Sequence, residues 1–190
     1  MLRAARRQPL TARGRYRYSN LGAAIAGLLL ARAARASDYG TLLTDRILAP
    51  LGMNATGVAP AVPLAPPGRS ALGARQRPWI MGGYGPAGGV VSTIADMARL
   101  AAALLDETAP GVAALRALAR VPAGRGEREM GMFWHIDVRP GSGPVAWHNG
   151  QTGGYGAMLA VAPRARRAVV VLLDVGDAAA AGRVAFDLAP

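Results

Sequence analysis

Lysine and cysteine are both missing from the 190 residues, and histidine occurs only as His135 and His148. The absence of cysteine excludes a disulfide framework and a thiol nucleophile, and it leaves the redox compartment open. Two histidines in no metal-ligand spacing give no metal site, and nothing in the sequence calls for a cofactor. No run of about 18 apolar residues occurs. The longest candidate, Leu21 to Ala31, is too short, so no membrane span is expected. The first twenty residues hold six Arg and no apolar central segment, so no secretory signal is visible and the compartment is not assigned.

Aromatic residues make up only 5% of the chain, and acidic residues number 11 against 22 basic ones, all of them Arg. A formal charge of +11 invites a nucleic-acid reading. Against it stand the scarcity of aromatics, the lack of any nucleic-acid-binding motif among the arginines, and an Ala-, Gly- and Pro-rich background that points to codon bias. A solvated basic surface accounts for the charge, and no nucleic-acid partner is expected. With 52% hydrophobic residues the chain can bury a core, either as one domain or as part of a larger two-lobed enzyme.

Leu21, Ala24, Ile25, Leu28 and Leu29 recur at helical spacing behind Asn20, a good cap, and predict a mostly buried helix over 21–35. Ser37 or Asp38 can cap a second helix carrying Leu42, Leu43, Ile47 and Leu48, which Pro50 and Gly52 end. Between Asn54 and Val91 six prolines break every period, so a long loop or a domain boundary is expected, with Trp79 and Tyr84 packing it onto something. Thr93 and Asp96 have capping-box spacing before Met97, Leu100, Ala101 and Leu104, which makes Ser92 a cap rather than a nucleophile. A short helix is expected over Gly111 to Arg120. Thereafter the period changes to two, through Met132, Trp134, Ile136 and Val138. Strands over 145–148, 155–162 and 168–173 follow, the last two joined by a hairpin through Pro163–Arg167, and 177–188 closes as a helix. The antiparallel order of these strands implies an α+β fold.

Two short stretches carry chemistry. Tyr18-Ser19-Asn20 opens the first helix, and His148-Asn149-Gly150 lies at the end of a strand before a glycine-rich turn that lets a ligand approach the strand edge. Read separately, one is a helix start and the other a turn-flanking histidine. Together and in this order they resemble the serine β-lactamase and penicillin-binding protein superfamily, in its class C, D-alanyl-D-alanine carboxypeptidase and esterase-like branch. That superfamily carries Ser-x-x-Lys, then Tyr-x-Asn, then Lys/His-x-Gly on a strand facing the site. The resemblance extends over R-Y-R-Y-S-N-L-G, I-L-A-P-L-G-M-N-A-T, G-P-A-G-G-V-V-S-T-I-A-D-M-A-R-L, M-G-M-F-W and H-N-G-Q-T-G-G-Y-G, nearly the whole chain.

The resemblance implies a β-lactamase/transpeptidase-like fold. Residues 1–122 would supply helix and loop of one partial domain, and 123–190 would supply antiparallel sheet and a C-terminal helix. It implies that Tyr18 acts as general base or proton relay, which for a phenol of ordinary pKa near 10 requires positive charge nearby. Asn20 would hydrogen-bond the substrate amide, and His148 would shuttle protons or meet a substrate carboxylate. Gly150 would keep the strand edge bare, and the Gln151 N–H would be one of two oxyanion donors. Substrates would be a lactam, a D-amino-acid peptide or an ester.

One departure stands out. With no lysine there is no Ser-x-x-Lys, and all five serines (Ser19, Ser37, Ser70, Ser92, Ser142) lie at or after the second motif, whereas the family's nucleophile precedes it. The expectation is therefore a C-terminal part of such a hydrolase, with the N-terminal portion and nucleophile missing, and inactive alone. A non-catalytic ligand-binding remnant and half of a split enzyme are the alternatives.

Overall fold

The computed structural model describes residues 6, 7, 9, 16–60, 67–106, 120–122, 128–131, 133–139 and 143–188. Helix α1 (Asn20–Ala33) buries Ala24, Gly27 and Ala31, a stripe of small side chains at helical spacing that lets a neighbour come close. The neighbour is α3 (Gly85–Gly88): a Cβ added at Gly27 would stand 2.3 Å from Pro86 Cβ. Leu29 and Leu30 are 49% and 61% exposed, so the helix is buried along one stripe and not all round.

Helix α2 (Tyr39–Leu43) starts at Asp38, whose carboxylate accepts from Thr41 N at 2.8 Å, and continues as a π-helical turn over Thr44–Leu48. Gly52, at φ +66°, ends this region in the left-handed conformation that glycine tolerates best. The described part of the proline-rich stretch carries more regular structure than its composition predicts. Its flanks pair as β1 (Gly57–Val58) and β2 (Val90–Val91), and a 3₁₀ turn over Gly82–Tyr84 leads into α3.

Helix α4 (Ile94–Leu105) is capped by Thr93, whose hydroxyl accepts from Asp96 N at 3.2 Å. Ser92 does not cap it. The expected capping box is only half formed, because the Asp96 carboxylate reaches away from Thr93. It accepts from Ala55 N at 2.8 Å and from the Thr56 hydroxyl at 2.7 Å, tying the β1 approach to α4. Long-range partners outcompeted the local one.

Six strands form one antiparallel sheet in sequence order: β3 (Arg120–Pro122), β4 (Arg128–Gly131), β5 (Trp134–Arg139), β6 (Gly143–Thr152), β7 (Tyr155–Ala162) and β8 (Arg167–Leu173). β3 and β4 have too few apolar residues to announce themselves by alternation. The helix expected over Gly111 to Arg120 lies outside the described residues, except Arg120, which begins β3. Helix α5 (Ala178–Leu188) covers one face of the sheet, packing Ala181 and Ala185 on Val145, Trp147, Met158, Ala160 and Ala162. Leu159 and Val161, alternate residues of β7, pack on Ala101, Ala103 and Leu104 of α4 across the other face. Fully burying each such large aliphatic side chain contributes about 1.5–3 kcal/mol. Together the elements make an α+β fold of mixed helix and antiparallel sheet. No helix among the described residues is long and apolar enough to cross a membrane.

Candidate active site

Tyr18 lies in the extended segment just before α1 and is 58% exposed. The cap of α1 is Ser19, whose hydroxyl accepts from Gly22 N at 2.9 Å, and not Asn20 as the sequence predicts. This exchange matters for the site. Ser19 is occupied by the backbone, and Asn20, the first helical residue, lines the cleft described below.

His148, Asn149 and Gly150 lie inside β6, which runs on to Thr152, so the histidine is not at a strand end. In register with β7, His148 stands opposite Leu159 and Gly150 opposite Ala157, which puts both on the α4 face of the sheet. The register with β5 ends at the His135–Trp147 pair, so Asn149 to Thr152 have no β5 partner along that edge. The Gln151 side chain points to the opposite face, where its Oε1 accepts from Ala178 N at 3.2 Å at the start of α5. Only its main chain is left to serve the α4 face. A Cβ added at Gly150 would meet nothing within 4 Å.

Tyr18, Asn20, His148, Gly150 and Gln151 all line one cleft of about 1690 Å³. Its other walls include Arg75, Arg77 and Trp79 from the segment before the 3₁₀ turn, and Ser92 and Met97 at α4. That segment is strapped to the sheet. Arg69 N donates to the carbonyls of Gly154 at 3.1 Å and Asp174 at 2.9 Å, and Gly176 N donates back to Arg69 O at 2.8 Å. Gly68 and Gly154 touch backbone to backbone, with a Cβ on Gly68 only 2.6 Å from Gly154 O. The Ser92 hydroxyl is 2.7 Å from that of Thr56, which itself donates to Asp96, so it belongs to the α4 anchor.

The aromatic rings form a connected group. Tyr18 lies 6.4 Å from His148 and 6.4 Å from His135, the latter pair nearly parallel at 10°. The two imidazoles are 5.8 Å apart, and His135 stacks on Trp147 at 4.4 Å. Burial holds the His148 imidazole below its ordinary pKa, partly offset by a hydrogen bond with the Asn149 backbone. Burial, reinforced by the Tyr18 phenol, raises Tyr16. Sequence reasoning missed His135, Arg75 and Arg77. The arginines carry no local signal among so many others, but His135 sits in the only alternating run that precedes the motif strand. Among the described residues no group of His, Cys, Asp or Glu could hold a metal ion.

The Beta-lactamase family model matches residues 1–188, and the chain belongs to that family of hydrolase-fold proteins. Human beta-lactamase-like 1 is 32% identical over 173 residues, which cover 84% of this chain and 34% of that protein. A class C beta-lactamase crystallised with cefoxitin superposes with a TM-score of 0.80 at 20% identity, over 95% of this chain and 61% of the other. D-alanine carboxypeptidase AmpC from Burkholderia cenocepacia gives 0.75 at 23% identity, over 94% and 62%. The chain thus spans about a third of its curated relative and about three fifths of the solved structures. These structural likenesses show the fold.

Proposed function

We propose that this chain supplies the second and third motif walls of an acyl-serine hydrolase site that acts on a lactam, a D-amino-acid peptide or an ester. Tyr18 is the proton relay, Asn20 holds the substrate amide, and His148 stands by as shuttle or carboxylate partner. Gly150 leaves room for the substrate against β6, and the Gln151 N–H is an oxyanion donor. The observation that carries this reading is the meeting of all five residues in one cleft, although Tyr18 and Gly150 are far apart in sequence. The bare space at Gly150 supports it too, since no neighbour among the described residues requires glycine there.

The nucleophile belongs to a Ser-x-x-Lys that this sequence does not contain. In an analogous serine hydrolase, loss of the nucleophile costs on the order of a million-fold in turnover. The chain alone is therefore expected to bind without acylating. The test is incubation with a fluorescent penicillin and a fluorescent fluorophosphonate. Saturable, reversible penicillin binding that weakens in Asn20→Ala and His148→Ala, with no covalent label from either probe, is the expected result. A covalent adduct on any serine of the chain would refute the placement of the nucleophile, and failure of the cleft to bind any lactam, D-alanyl peptide or ester would refute the site.

A further inference from the structure

We propose that His135 carries the positive charge beside the Tyr18 phenol, as a positioning residue, and leaves its neighbour His148 neutral. This rests on Tyr18 being the proton relay of the site proposed above. A phenol in that role needs a cation close by, and the sequence offers no lysine anywhere. The geometry offers two imidazoles at equal ring distance, 6.4 Å each. They stand 5.8 Å from one another, close enough that a proton on one opposes a proton on the other.

Their surroundings decide which one takes it. His135 lies 4.4 Å from the indole of Trp147 at an interplanar angle of 20°, so its ring rests on an aromatic face that attracts a cation. That indole is itself fixed: Trp147 is 9% exposed and meets Phe186 of α5 edge-on at 5.4 Å. The result is a stack running from α5 through Trp147 and His135 to Tyr18, with His135 nearly parallel to the phenol. His148 has no such platform, and its burial disfavours the charged form. The other titratable or charged groups on the surrounding elements are Tyr16 and Arg17 beside Tyr18, Arg75, Arg77, Tyr84, Tyr155 and Asp174 along the same cleft, Arg128 and Glu129 on β4, Asp137 and Arg139 on β5, and Arg183 and Asp187 on α5. All of them stay constant in the comparison below.

Because the chain has only two histidines, their imidazole Cε1–H resonances can be followed by NMR across pH 4–9 and assigned with His148→Gln. In the unaltered chain His135 is expected to titrate at the higher pH of the two. In His135→Gln, the His148 midpoint is expected to rise by about half a pH unit or more, the Coulomb effect in water of removing a unit charge 5.8 Å away. His135 titrating below His148 in the unaltered chain would overturn the proposal without needing any variant to fold, and so would a His148 curve unmoved by His135→Gln. Failure of the unaltered cleft to bind penicillin bears on the site itself, while the order of the two titrations bears only on the charge assignment, so the two failures are distinguishable.

Discussion

Replacing Asp96 with Ala removes the anchor that holds the β1 approach to α4. The carboxylate is 3% exposed, and one of its oxygens accepts both from Ala55 N at 2.8 Å and from the Thr56 hydroxyl at 2.7 Å. Hydrogen bonds to a charged group contribute about 1.5–3 kcal/mol each. The Thr56 hydroxyl keeps Ser92 as a partner at 2.7 Å after the substitution, so only the Ala55 N–H is left wanting. The ion pair to Arg99 adds little, because that guanidinium is 52% exposed and water screens it. The expected loss is about 3–4 kcal/mol, a large fraction of the ~5–15 kcal/mol typical of a folded domain. Asp96→Asn keeps an acceptor without the charge and is expected to cost about half as much, and Arg99→Ala under ~1 kcal/mol. Urea unfolding followed by tryptophan fluorescence suits the measurement, since Trp134 packs in the cluster under α4. An Arg99→Ala variant as unstable as Asp96→Ala would refute the reasoning, for the salt bridge and not the backbone anchor would then dominate.

Gly27→Ala improves helix propensity by about 1 kcal/mol, but its methyl would lie 2.3 Å from Pro86 Cβ, a rigid ring on the neighbouring helix. Overpacking of about 1–3 kcal/mol is expected to win, lowering the urea midpoint; a higher midpoint would show that α1 and α3 separate easily. Ser19→Ala should cost about 1 kcal/mol through its lost cap on Gly22 N, while penicillin binding is retained. His148 links stability to pH. Its folded pKa is lowered from 6.5, so the imidazole is neutral in both states well above that value and contributes no slope. As pH falls below 6.5 the unfolded chain takes up its proton first, and stability should decrease until the folded imidazole protonates too. That segment of the stability–pH curve should flatten in His148→Gln; an unchanged curve would mean that burial at β6 does not perturb the ring.

Much of the fold was legible because apolar periodicity survives wherever one face of an element is buried. Alternation gave β5, and the two apolar stretches flanking Pro163–Arg167 gave the last hairpin. β3 and β4 were not legible, for R-V-P and R-E-M-G have no alternating apolar face. Local rules misplaced two capping groups. The first helix starts one residue earlier than expected, so Ser19 and not Asn20 holds the cap position, and Asp96 finds a distant backbone N–H to satisfy. Of the site, Tyr18, Asn20, His148, Gly150 and Gln151 were named from two motifs, and the structure brings them to one cleft. His135 escaped notice because its role depends on a stack assembled across β5, β6 and α5, which no spacing along the chain encodes.

The strand order of the large sheet is also its sequence order, from β3 to β8 without a crossover. Each new strand therefore pairs with the one made just before it, and loop closure costs little at every step. Contacts of such short sequence separation favour fast folding. During synthesis the His148 strand would find β5 already complete and would wait only for β7, so this wall of the cleft can form hairpin by hairpin as the chain emerges.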